Sequence, residues 1–241
     1  NSKGRKVVQS LAFQYDHTDP INSFVAKELI ENEILPFKPA DKDETNWHKD
    51  DGRLARKDIN NVTALLCLGK TTSRNATPAL VESRFEFMIL FWESVAKIKN
   101  FGEEGAKSKT LAAQPVVLKA LAKISYELAY GHQNIVDHDG YKTLITAIGS
   151  GGLDFSHENP IWRALMMPEN ARRDEFPGLE NYLYVPAEIN LDAGMYDHEN
   201  GWVRFGNKHN DIYPRLGDVI RWNLQLKVRP TVAKALEARD D

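Results

Sequence analysis

Leu80-Val81-Glu82-Ser83-Arg84-Phe85-Glu86-Phe87-Met88-Ile89-Leu90-Phe91-Trp92-Glu93-Ser94-Val95-Ala96-Lys97-Ile98 is the stretch on which the fold class turns. Phe85, Met88, Ile89, Phe91, Trp92 and Val95 place apolar side chains around most of a helical circumference. The spacing predicts a helix over 80–98 at the centre of a bundle. Glu86 and Glu93 interrupt the run well short of the ~18–20 apolar residues that span a bilayer. A second helix is predicted over 111–130, with Val117, Leu121, Ile124 and Leu128 as its inner stripe. Asp139 is the expected cap of a third, which buries Tyr141, Leu144, Ile145 and Ile148 and stops at the glycines of 149–152.

Upstream, Asp19 and Pro20 supply a cap and a first helical residue for Ile21, Phe24, Val25 and Leu29. Residues 35–56 read as a long polar connection containing Trp47 and His48. A short helix is expected over 58–68 and a Ser/Thr/Lys/Arg loop over 69–78. Asn159-Pro160 repeats the cap-plus-proline device before Trp162 and Leu165. Past Pro168, frequent Gly and Pro among aromatic residues favour turns and strands. Ile220, Trp222, Leu224, Leu226 and Val228 alternate with Arg221, Asn223, Gln225, Lys227 and Arg229, which predicts a half-buried strand over 219–229. A terminal helix follows over 232–238. The fold class is α+β, predominantly α-helical with a small β-rich region near the C-terminus. The expected division is an α-helical domain over 1–168 and a β-rich region over 169–241.

Composition narrows the function. The 241 residues carry 31 Lys plus Arg against 34 Asp plus Glu, a net charge of −3, which excludes a globally basic nucleic-acid coat protein but not a local basic face. A hydrophobic fraction of 42% supports a true core. The single cysteine, Cys67, lies in an apolar run and has no disulfide partner, which points to a cytoplasmic setting. The first residues do not resemble a signal peptide, and the chain begins without Met, as expected for a piece of a longer protein.

Three His/acid clusters invite a metal reading: Asp16-His17-Asp19, His132 with Asp137-His138-Asp139, and Asp197-His198-Glu199. None has the helical i, i+3 or i+4 spacing of convergent ligands, and Asp at a helix start is simply a good cap. No metal is expected, and no pattern names a cofactor. Cys67 among leucines is too desolvated for a nucleophile. The glycines at 149–152 end a helix rather than open one, so they do not form a phosphate cradle.

Cations make the stronger case. Arg53, Arg56 and Lys57 form one group. Lys70 and Arg74, interleaved with Thr71, Thr72, Ser73 and Asn75, form a second, and Arg172 with Arg173 a third. Arg221, Lys227 and Arg229 occupy the outward face of the expected strand, with Asn223 and Gln225 between them. Cations with short hydroxyl and amide donors suit phosphate contacts, although any one group taken singly reads as an ordinary solvated face.

The segment Ser10-Leu11-Ala12-Phe13-Gln14-Tyr15-Asp16-His17-Thr18-Asp19-Pro20 resembles the Ser-Leu … Tyr-Asp-His-Arg-Asp-Pro signature of the DndB family, the DNA sulfur modification B proteins with a DGQHR-type domain. Thr18 stands where the family has Arg. Pro115-Val116-Val117-Leu118-Lys119-Ala120-Leu121 is similar to the family's apolar middle helix. Asn159-Pro160-Ile161-Trp162 resembles its Asn-x-x-Trp step, which follows an aspartate-containing turn, here Asp154-Phe155-Ser156. The likeness runs in order from Val7 to Met167, with Tyr15, Asp16, His17, Asp19, Pro20, Asn159 and Trp162 as the motif residues. The Asp-Gly-Gln-His-Arg motif itself is absent, as expected if a ParB-like half lies upstream.

The resemblance implies a DNA-binding regulatory or accessory protein of a phosphorothioation-type modification or defence system, partnered by DNA and by other proteins of such a cluster. Two further readings stand beside it. One is a nucleotide-hydrolysing component with its catalytic half upstream and phosphate contacts from the loop at 69–74. The other is a non-catalytic assembly module that uses Tyr182, Tyr184, Tyr196, Trp202, Phe205, Tyr213 and Trp222.

Overall fold

The computed structural model describes residues 16, 18–40, 54–131, 136–183, 192–206 and 208–240. Tyr15, His17, Trp47, His48, Arg53, His132 and Tyr184 lie outside the described residues.

The first helix, α1 (Pro20–Phe24), starts as its sequence demands. Asp19 Oδ1 accepts from Ile21 N at 2.8 Å and Asn22 N at 3.2 Å, and Pro20 occupies the first turn. The helix widens into a π-helical segment (Val25–Glu31) that buries Val25 and Leu29 and ends before Pro36. An isolated parallel bridge joins Ala40 to Ala55. Next, α2 (Arg56–Leu68) buries eight residues, Cys67 among them, and Gly69 closes it in the left-handed region at φ 68°. A Cβ at Gly69 would sit 2.5 Å from the Tyr126 ring, so both backbone and neighbour require glycine there.

The apolar stretch at 80–98 splits at Arg84 into α3 (Pro78–Ser83) and α4 (Phe85–Ala96). It is not the centre of the bundle. Five of the twelve α4 residues are buried, and Leu90 is 43% exposed. After a one-turn α5 (Ala106–Lys109) and a 3₁₀ turn (Leu111–Ala113), α6 (Pro115–Tyr130) takes the central position, with ten of its sixteen residues buried. It packs against α2 on one side, and against α7 (His138–Ser150) and α9 (His209–Asn223) on others. Its small Ala120, Ala122 and Ser125 let neighbours approach closely, and Gly217 of α9 sits against Ile124. Apolar periphery alone therefore did not identify the innermost helix. In α7 the cap is Asp137, whose side chain accepts from Gly140 N at 3.0 Å; Asp139, the expected cap, lies in the first turn.

Asn159 and Pro160 begin a 3₁₀ segment (Pro160–Met166), and α8 (Glu169–Glu175) follows. The only sheet among the described residues is an antiparallel pair, β1 (Gly194–Asp197) with β2 (Trp202–Phe205), in the register Tyr196 to Val203. Side chains satisfy the outer edge of β2: Val203 N donates to His157 Nδ1 at 3.0 Å, Gln114 Nε2 to Val203 O at 2.9 Å, and Phe205 N to Gln114 Oε1 at 3.0 Å.

The expected strand over 219–229 is a correction. Residues to Asn223 continue α9, and the chain then turns through Gln225 (φ 53°) before α10 (Pro230–Asp240). Ile212, Leu216, Val219 and Ile220 form a fully buried helical stripe, which outweighs the period-2 alternation. Pro214 is the sixth residue of that helix, so it removes one i→i−4 backbone hydrogen bond, a local cost that the buried stripe outweighs. Tyr182, Tyr196, Phe205, Tyr213 and Trp222 pack against the common core. No helix among the described residues is long and apolar enough to cross a membrane.

Candidate nucleic-acid interface

Helix geometry sorts the ten nominated cations by their partners. Arg221, expected to face outward, is 3% exposed; its Nη2 donates to Glu127 Oε2 at 2.8 Å and its Nη1 to Lys227 O at 3.0 Å. Arg229 makes a two-pronged contact with buried Asp218, Nε to Oδ1 at 2.9 Å and Nη2 to Oδ2 at 2.7 Å. Burial pushes the Asp218 carboxyl up to about 6, against the pull of Arg229 and Arg221. Lys227 lies 3.6 Å from the Asp137 carboxylate, and Arg173 2.6 Å from Glu169 one helical turn away. Arg172 Nη1 donates to Ala164 O at 3.5 Å. Arg221 thus ties α9 to α6, Lys227 reaches the cap of α7, Arg229 fastens the turn after α9 back to that helix, and Arg172 and Arg173 make contacts close by in sequence. A flat cationic strand face at 221–229 does not exist.

Arg56 and Lys57 stand half-buried at the start of α2, and Lys70 and Arg74 are exposed beyond its end. Thirteen helical residues put the two groups about 20 Å apart, so they are separate points of contact. Near the first, Lys119 is only 7% exposed, with its Nζ 3.0 Å from His209 Nδ1. Burial lowers the pKa of Lys119, with Asp58 opposing and Lys57 reinforcing. Burial also takes His209 down to about 4, helped by Lys119 and Lys57. A neutral His209 therefore accepts from the Lys119 ammonium.

The second group is better built for an anion. Ser73 donates its hydroxyl to Asp19 Oδ2, so the residue that caps α1 also clips the loop at 69–75. Lys123 Nζ donates to Gly69 O at 3.2 Å, which holds the loop's first residue. Lys70 and Arg74 make no ion pair among the described residues. Behind them the Arg84 guanidinium lies over the rings of Tyr130 at 4.2 Å and Tyr126 at 5.4 Å, a cation–π arrangement next to the exposed cations. Sequence reasoning nominated Lys70 and Arg74 and, separately, Asp19. It missed their connection, because Ser73 lies 54 positions beyond Asp19 in the chain. It also missed Arg84, Lys119, Lys123, His157 and His209, for which no local spacing gave a signal.

A cavity of about 240 Å³ opens beside this loop, with Asp19, Asn22, Asn60, Asn61, Thr72 and Ser73 in its wall. A larger one, about 690 Å³, lies between the 98–110 turn and the hairpin. Its Lys99 and Lys109 face Asp154 and Glu158, and Lys109 is already near Glu103 at 3.7 Å, so the cavity carries balanced charge. His157 in its wall has both ring nitrogens engaged, Nε2 with Lys107 O at 2.8 Å and Nδ1 with Val203 N.

The other motif residues build turns. Asn159 Nδ2 and Trp162 Nε1 both donate to Asp154 O, at 2.8 and 2.9 Å, which ties both ends of the Asn-x-x-Trp step to the aspartate turn before it. Asp16 accepts from Thr18 N at 3.0 Å and Thr18 Oγ1 at 2.6 Å, an Asx turn leading into Asp19-Pro20. Among the described residues no three His, Cys, Asp or Glu side chains converge as a metal site.

Comparison with curated proteins and with solved structures finds no match. A family model, DndB, described as DNA-sulfur modification-associated, matches residues 1–188. The match takes in the Asp19 cap, the clipped basic loop and the Asn159–Trp162 turn, and it stops before the hairpin and α9. With the matched span covering most of the 241 residues, the chain belongs to the DndB family of DNA-sulfur-modification-associated proteins.

Proposed function

We propose that the protein is a DNA-binding regulatory or accessory component of a DNA-sulfur modification system, with the loop at 69–75 as its main phosphate contact. The observation that carries this reading is the loop itself. Lys70 and Arg74 are exposed and without ion pairs among the described residues, on a segment that Asp19 and Lys123 hold at both ends. A cation on a held loop loses little further freedom when it meets a phosphate, and hydroxyls at 71–73 stand ready beside it. On a chain of net charge −3 the attraction has to be local, which favours a compact contact over a broad coat. Arg56 and Lys57, about 20 Å away at the far end of α2, are a second point that a duplex could reach at the same time.

The test is retention of duplex DNA across a salt series. The expected result is binding that weakens steeply with salt, and a log–log slope that falls by roughly two units in the Lys70→Ala/Arg74→Ala double variant. Absence of salt-sensitive retention by the parent protein overturns the proposal. An unchanged slope in the double variant overturns the loop as the contact.

A further inference from the structure

The cavity of about 240 Å³ beside the basic loop has seven polar side chains among its nine lining residues, the Asp19 carboxylate included, with Ile21 and Ala64 as its apolar part. Its floor holds two buried amides, Asn22 at 2% and Asn60 at 5% exposure. Asn60 Nδ2 donates to Asn22 Oδ1 at 3.2 Å, while Asn60 Oδ1 is buried with no hydrogen-bond partner. A buried acceptor left unmade is costly, and an apolar residue would have filled this position more cheaply. Thr71, Thr72 and Ser73 also line the cavity, together with the half-buried Asn61. Lys70 and Arg74 flank the three hydroxyl residues in sequence and reach solvent.

Amides and hydroxyls in a small cavity, with exposed cations next in sequence to its wall, complement a particular chemistry. A carboxamide carries a donor and an acceptor side by side, the pattern by which Asn reads a base edge; those of Asn22 are engaged with Asn60 and Asp16 O, which leaves Asn60 and Asn61 to meet a ligand. The neighbouring cations suit a phosphate. We propose that this cavity receives a single unstacked nucleotide, with Asn60 and Asn61 against its base edge and Lys70 and Arg74 on its phosphate. The proposal deepens the DNA-binding reading where the nucleotide belongs to a strand, and stands apart from it where the nucleotide is free. In a strand, an unpaired position costs least to extrude and is the expected target.

The experiment uses the full chain and duplexes carrying 2-aminopurine, either paired or as a single-nucleotide bulge, with free dAMP as the second arm. The expected result is roughly tenfold tighter binding of the bulged duplex, with a rise in 2-aminopurine fluorescence. Asn61→Ala and Thr72→Val, both away from the core, should remove that preference and leave paired-duplex retention intact. Asn60→Leu should do the same wherever its melting curve shows a folded protein. Lys70→Ala/Arg74→Ala should weaken paired and bulged duplexes alike. If paired duplex binds but bulged duplex gains nothing and dAMP does not bind, the cavity proposal is overturned and the DNA reading stands. If no DNA binds at all, the DNA reading falls and the dAMP titration decides: binding lost in Asn61→Ala supports the cavity, and no binding overturns it.

Discussion

Replacing Gln114 by Leu keeps nearly the same volume and removes the two bonds that hold the outer edge of β2. Gln114 is buried where α6 begins, and its amide reads Val203 O and Phe205 N as a neighbouring strand would. A two-stranded hairpin of four-residue strands has little stability of its own, so these side-chain bonds fasten it to the helices. Val203 is fully buried, which puts its orphaned carbonyl near the upper end of the roughly 1–3 kcal/mol cost of an unmade buried group. Phe205 is half-buried, and its amide falls near the lower end. The sum is about 2–4 kcal/mol, or a melting midpoint lower by about 4–15 °C in a chain of this length. Thermal denaturation followed by circular dichroism measures the first figure. Amide hydrogen exchange should show the Phe205 N–H losing protection more than amides in α6. An unchanged midpoint with Phe205 still protected would refute the idea that Gln114 anchors the hairpin.

The buried ion pairs predict a large single-site effect: Glu127→Ala leaves Arg221 without its carboxylate and should cost about 3–5 kcal/mol in urea denaturation, with partial recovery in Glu127→Ala/Arg221→Met. Acidification should act through two histidines, since burial lowers His157 and takes His209 to about 4, below the ordinary 6.5. The unfolded chain then binds those protons first, so stability present above pH 6.5 is lost as pH falls towards 4. Asp218 has the opposite sign: its carboxyl, raised to about 6, is penalised above that pH and relieved as pH falls towards 3.8. Urea midpoints between pH 7.5 and 4.5 should decline less steeply in His209→Gln and more steeply in Asp218→Asn; parallel curves would contradict the assignment. Cys67 is fully buried and burial raises its thiol pKa, so a thiol reagent should label it only on the timescale of unfolding. Asp19→Ala should cost about 1–2 kcal/mol as a lost cap and also weaken duplex retention, because it frees Ser73; a stability loss with retention intact would separate the two roles.

Local chemistry was legible in the chain wherever one side chain answers a neighbour a few residues away. Asp19 before Pro20 and Asn159 before Pro160 capped as their sequence implied, Gly69 and Gly151 closed their helices, and the stripe Val117, Leu121, Ile124, Leu128 faced inward. The same logic failed over 219–229, where an alternating pattern and a helical stripe share residues. The helix prevailed because Arg221 and Asp218 find buried partners, Glu127 and Arg229, that no local pattern announces.

What the sequence determined by itself was a helix-rich chain, its cap and turn positions, the family it belongs to and a short list of cations. Only the tertiary structure decided which cations remain available. Pairing depends on which carboxylates the packing of α9 on α6 brings within reach, and those lie 94 residues apart for Arg221 and Glu127. The same packing buried Arg221 and tied half-buried Arg229 to Asp218, and the clip between Asp19 and Ser73 left Lys70 and Arg74 facing solvent. Charge is a property of the residue, whereas availability is a property of what the fold places beside it.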